Sequence, residues 1–226
     1  MLRVTPVNVQ VRHRITFAPP NYSIVTTEVA ASLATRFAEV FNLKSTGIIF
    51  NQNSMSGQYL SFRYVLPNSP VRYIDALIGV DQAEVLFLNP LNVSELKEEF
   101  LKVWKAMLEK SKPKIAEHYF EATLHCTTEG IGAENFLDKL VSIQTMDREI
   151  HKGFSLTSKH SEISGEARIG LEVSTSLPDG LYLIFVCASK KKVENLAGLG
   201  DLIDKTIDIY RNLQPLAQIE VLEVTP

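Results

Sequence analysis

From Val7 to Phe17 apolar and polar positions alternate, with Val7, Val9, Val11, His13, Ile15 and Phe17 on one face and Asn8, Gln10, Arg12, Arg14 and Thr16 on the other. A period of two marks a half-buried strand. Pro19 and Pro20 cannot donate to a ladder and end it, and the hydroxyls between Ser23 and Thr27 are suited to cap a helix. The period then lengthens: Val29, Leu33, Phe37, Val40 and Phe41 recur at three- and four-residue intervals, as one face of a helix requires. Beyond Asn42 come short apolar runs at 47–50, 59–66, 71–78 and 83–88. Turn residues at 51–57, at 66–70 and around Gly79 and Asp81 separate them, predicting four strands, of which 71–78 also admits a helix. Asn92 with Glu95 three residues later has the form of a capping box, and Val93, Leu96, Phe100, Val103, Trp104, Met107 and Leu108 extend it as a helical stripe.

Ser111-Lys112-Pro113-Lys114 breaks that helix, and the same succession begins again. His118, Phe120, Ala122, Leu124 and Cys126 alternate with polar neighbours as a second opening strand. Gly130-Ile131-Gly132 leads into a helix with Phe136, Leu137, Leu140 and Val141 on one face. Strands are expected at 153–158, 167–173 and 181–188, the last two joined by the turn Leu177-Pro178-Asp179-Gly180. Because 181–188 is apolar at nearly every position, it reads as a central strand covered on both faces. Leu199, Leu202, Ile203, Ile207 and Tyr210 predict a final helix, and 218–224 a closing strand.

The expectation is therefore an α+β protein of two tandem β-α-β(3-4)-α halves, 1–112 and 113–226, with antiparallel sheets packed on long helices, either as two separate sheets or joined in one continuous sheet. This order of elements is similar to one repeat of the TATA-box-binding protein fold and to helix-grip folds, in which a curved antiparallel sheet wraps a long helix. The resemblance is one of topology. No residue that reads a DNA minor groove in that family is matched here, so it implies a fold and no function.

Composition narrows the function classes. A net charge of −3 over 226 residues argues against a dedicated nucleic-acid binder, and no apolar run is long enough to span a bilayer. The opening residues lack a signal-peptide pattern, so a cytoplasmic location is expected, with Cys126 and Cys187 as reduced thiols in apolar strands. The charge is uneven: 12 basic against 9 acidic residues through Lys112, and 11 against 17 beyond it.

Candidate chemistry is sparse. Arg12, Arg14, Arg63 and Arg72 are the candidate binding residues, as a basic sheet face for an anion or an acidic protein segment. The competing reading pairs Arg12 and Arg14 with Glu117 and Glu121 across two adjacent opening strands. His13 and His118 fall at corresponding places on the apolar faces of those strands and join the candidate set. As lone histidines on apolar faces they also read as hydrogen-bonded core residues. His125 and Cys126 point to opposite faces and cannot act together. Asp201, Asp204 and Asp208 share a helical stripe, where a solvated face with an Asp201–Lys205 pair is expected. No metal motif, cofactor motif or catalytic residue is assigned. Two functions remain: a non-catalytic binding or assembly module presenting its sheet to a protein partner or to itself, and a small-ligand carrier or enzyme with a cavity between helix and sheet. Phe37, Phe62, Tyr64 and Phe120 are candidates to line or to fill that cavity.

Overall fold

The computed structural model describes residues 1–44, 47–50, 58–66, 71–141 and 153–222. Among these residues ten strands form one unclosed sheet, and four α-helices accompany it. In chain order these are β1 (Leu2–Phe17), α1 (Thr27–Phe41), β2 (Ile48–Phe50), β3 (Gln58–Val65), β4 (Tyr73–Gly79), β5 (Gln82–Leu88) and α2 (Val93–Ser111). The second half adds β6 (Ile115–Thr128), α3 (Ala133–Leu140), β7 (Gly153–His160), β8 (Gly165–Val173), β9 (Leu181–Ser189), α4 (Leu196–Leu216) and β10 (Ile219–Val221). Residues 71–78 are strand, not helix. The turn segments at 51–57 and 67–70, His151 and Val224 lie outside the described residues.

The sheet runs β2-β3-β4-β5-β1-β6-β9-β8-β7, antiparallel throughout, and the short β10 adds to β1 in parallel. Its seam is the long pairing of the two opening strands. Arg12 lies opposite Glu121, Arg14 opposite Tyr119 and Thr16 opposite Glu117. β1 begins earlier than the alternation predicts, at Leu2, because a bulge between Pro6 and Asn8 inserts Val7 as an extra residue. The insertion flips the parity, so Val4 is buried and Val7, expected inside, is 55% exposed.

Every second residue along the strands meets the helices. Phe37 and Phe41 of α1 pack on Phe62 of β3, with ring centroids 4.7 and 5.2 Å apart. Trp104 of α2 meets His13 of β1 edge-on, and Tyr210 of α4 meets Phe185 of β9 at 5.1 Å. α2 starts as predicted: the Asn92 side chain accepts the Glu95 N–H at 2.9 Å, while the Glu95 carboxylate accepts the Leu91 N–H. α1 does not. Thr26 occupies its N-cap, yet its hydroxyl donates backward to the Ser23 carbonyl and caps nothing.

Among the described residues no helix covers the opposite face of the sheet. β9 alternates buried and half-buried residues, with Leu181, Leu183, Phe185 and Cys187 inside and Tyr182, Ile184, Val186 and Ala188 half-exposed. The sequence predicts a strand covered on both faces, and among the described residues only one of its faces is covered. On the same side Ile49 and Val65 are 61% and 49% exposed. No helix among the described residues is long and apolar enough to cross a membrane.

Candidate binding surfaces

Backbone register sets a continuous row across the open face, running Arg63, Asp75, Leu86, Arg12, Glu121, Val186, Arg168 and Thr157 from β3 to β7. Its charges are largely answered within the chain. Arg12 sits between Glu84 at 3.1 Å and Glu121 at 3.4 Å. Arg63 grips Asp75 with two hydrogen bonds of 2.6 Å and lies 4.1 Å over the Tyr73 ring, an arrangement that raises its pKa further. Arg14 stacks 4.7 Å above Tyr119, whose hydroxyl donates to Glu121 at 2.7 Å. Burial first, and then Glu121, pushes the Tyr119 phenol up. Arg72 turns to the start of α2, where it pairs with Glu95 and donates to the Asn89 carbonyl at 2.9 Å. The four arginines therefore do not converge on one anion site. Arg14 also borders a hollow of about 530 Å³ at the lower end of the seam, where Lys159 and Lys190 are mixed with Glu117 and Glu166.

His13 and His118 do come together, on the covered face. Their rings stack with centroids 5.9 Å apart and are 2% and 5% exposed. His13 Nδ1 accepts from Trp104 Nε1 at 2.9 Å. Neither His118 nitrogen makes a well-formed hydrogen bond; the nearby Lys191 amide, which slightly raises its basicity, donates instead to Ser189 Oγ at 3.1 Å. Burial, and secondarily the His118 charge, lowers the pKa of His13 to about 3, and burial lowers that of His118 to about 4. Both are thus neutral core groups at neutral pH. Cys126 and Cys187 are buried free thiols pushed up to about 12 and about 11 by burial. Such thiols are poor nucleophiles. On α4, Asp204 meets Lys97 of α2 at 2.7 Å and Asp208 meets Arg211 at 3.7 Å. Among the described residues no group of three or more His, Cys, Asp or Glu is placed to hold a metal ion.

A second feature lies between the sheet and α4. There β1, β6 and β9, the first turn of α2 and the tail after α4 line a half-open apolar cavity of about 230 Å³. Ala122, Leu124 and Phe185 belong to its sheet wall, and Ile207 and Tyr210 to its helical wall. Of the aromatic residues proposed from sequence only Phe120 lines it, while Phe37, Phe62 and Tyr64 fill the core under α1. The Tyr210 hydroxyl is buried without a described hydrogen-bond partner, and burial pushes its pKa up. Asn92, Arg211 and Gln214 are its polar lining residues. Gln214 also accepts the Val221 N–H at 3.1 Å, which ties the tail to the helix. Ala122, Tyr210 and Arg211 were not singled out as site residues from sequence. The one local signal was a small residue between Phe120 and Leu124. The chain matches no protein-family model and no curated protein.

Proposed function

We propose that the chain is a non-catalytic assembly module whose open sheet face packs on the same face of a second copy. The observation that carries this reading is the uncovered row in which Leu86 and Val186 interrupt charges already paired within the chain. Paired charges can be desolvated at lower cost than lone ones, whereas an anion or nucleic acid would have to displace Glu84, Glu121 and Asp75.

Area and charge favour a second copy. Nine adjacent strands at about 4.8 Å, most of them seven to nine residues long, span roughly 1,000 Å², enough for the ~800 Å² per partner of a standard interface. The first half of the face carries Arg12, Arg14 and Arg63 against Asp75 and Glu84. The second carries Lys159 and Arg168 against Glu117, Glu121, Glu166 and Glu172. A two-fold axis would lay each half on its opposite.

In the order β3-β4-β5-β1-β6-β9-β8-β7 the strands of 1–112 mirror those of 113–226. Near the Phe17 end of the seam His13 faces Phe120 and Ile15 faces His118, so the two histidines take corresponding places on either side of the Arg14–Tyr119 pair. This supports two tandem repeats of the topology that the TATA-box-binding protein fold also shows.

Light scattering tests the assembly. A mass of twice the 25.3 kDa monomer is expected at micromolar concentration, and Val186→Glu with Leu86→Glu should yield a folded monomer. A wild-type monomer at about tenfold higher concentration would remove the proposal.

A further inference from the structure

From the cavity on the helical side of the sheet, independently of the assembly reading, we infer that the chain binds a small amphipathic molecule with an apolar body and one anionic end. The walls fix the body. Leu124, Phe185 and Ile207 offer aliphatic and aromatic contacts over a volume of about 230 Å³. A dry protein cavity of about 150 Å³ holds benzene. By that scale the space here takes about nine carbon atoms, a medium-chain acyl group or a substituted aromatic ring.

Arg211 selects the charge of the other end. It lines the cavity, its side chain is 56% exposed, and its partner Asp208 is 3.7 Å away and 67% exposed. An ion pair so open to water is weak, so a ligand carboxylate can share the guanidinium without breaking a buried contact. The frame around the pocket is tied down. The Leu222 N–H donates to the Val4 carbonyl at 2.9 Å and Gln214 holds Val221. The Val9 N–H donates to the Asn89 side chain at 2.9 Å. These bonds anchor the backbone that frames the cavity, and walls so held relax only partly into the space between them.

Octanoate and octanol, which share an alkyl chain and differ in charge, separate the two parts of the inference by titration calorimetry of the full chain. Both should bind, with octanoate the tighter. Ala122→Leu adds side-chain volume inside the cavity and should weaken both at least about tenfold, with Trp104 fluorescence verifying the fold. Arg211→Gln should weaken octanoate about two- to fivefold and leave octanol unchanged, the range expected of an exposed charge contact. Should Ala122→Leu not fold, contacts between octanol protons and the methyl groups of Leu124 and Ile207, seen by nuclear Overhauser effects in the wild type, place the ligand instead. Absence of binding by either compound at millimolar concentration overturns the inference, as does binding that neither those contacts nor Ala122→Leu traces to the cavity. Equal effects of Arg211→Gln on both compounds overturn the anionic end.

Discussion

Acid should unfold this protein through two buried histidines. His13 and His118 share one apolar pocket, and their pKa values stand at about 3 and about 4 against 6.5 in a solvated chain. Because the folded values are the lower ones, the unfolded chain takes up protons first as the pH falls. Stability is therefore complete above about pH 6.5 and is lost as the pH drops toward 4. Linkage gives about 2 kcal/mol lost per histidine between pH 8 and pH 5, about 4 for the pair, a large part of the 5–15 kcal/mol typical of a domain. Between pH 6 and pH 5 the slope is about 1 kcal/mol per histidine per pH unit. Protonation of His13 would also remove the acceptor used by Trp104 Nε1.

The assay is urea unfolding followed by the fluorescence of Trp104, the single tryptophan, fully buried beside His13. His118→Leu removes one titrating group, so its stability should fall about 1 kcal/mol less steeply per pH unit than that of the wild type. Carboxylates contribute equally to both proteins and cancel in the difference. Parallel pH profiles for the two would refute the reasoning, since a buried neutral histidine must contribute to the slope.

Further substitutions probe the frame. Gly165→Ala would set a methyl carbon 1.9 Å from the Ala188 carbonyl oxygen, so the β8–β9 pairing must shift, and urea titration should show a loss of about 2 kcal/mol or more. Asn92→Ala removes the cap of α2 and should cost about 1 kcal/mol in the same assay. Phe185→Ala should cost about 3–5 kcal/mol and enlarge the cavity, which a crystal structure of the variant would reveal. Arg63→Ala should cost no more than about 1 kcal/mol despite its two short hydrogen bonds, because its side chain is 57% exposed.

The period of the apolar residues made most elements legible, because each of α1, α2 and α4 buries one stripe and each strand alternates. Three features escaped for separate physical reasons. Val7 is placed by a bulge, and a single inserted residue reverses the parity of everything before it without altering composition. Thr26 is a hydroxyl at an N-cap that turns its hydrogen bond the other way, a choice made by the short turn before it. A cavity between helix and sheet is one of the two readings of the sequence, but its position depends on the volume left where β1, β6, β9, α2 and α4 meet, which no local pattern records.

β9 exposes the limit of the hydrophobic rule most clearly. Apolar residues on both faces were read as two covers, because burial was inferred from residue type. The inference runs one way: buried positions are mostly apolar, but apolar positions need not be buried. Ile184 and Val186 stand half-exposed next to Thr123 and Glu121 across the strand pair. In an isolated chain such positions would ordinarily be polar, as Arg12 and Arg14 are on the neighbouring β1. The arginines drew attention first because charge suggests a ligand, yet Arg12, Arg63 and Arg72 are paired within the chain and Arg14 lies on Tyr119. Once those groups are matched, the unmatched quantity on this face is apolar area, and apolar area calls for a partner surface more than for an ion.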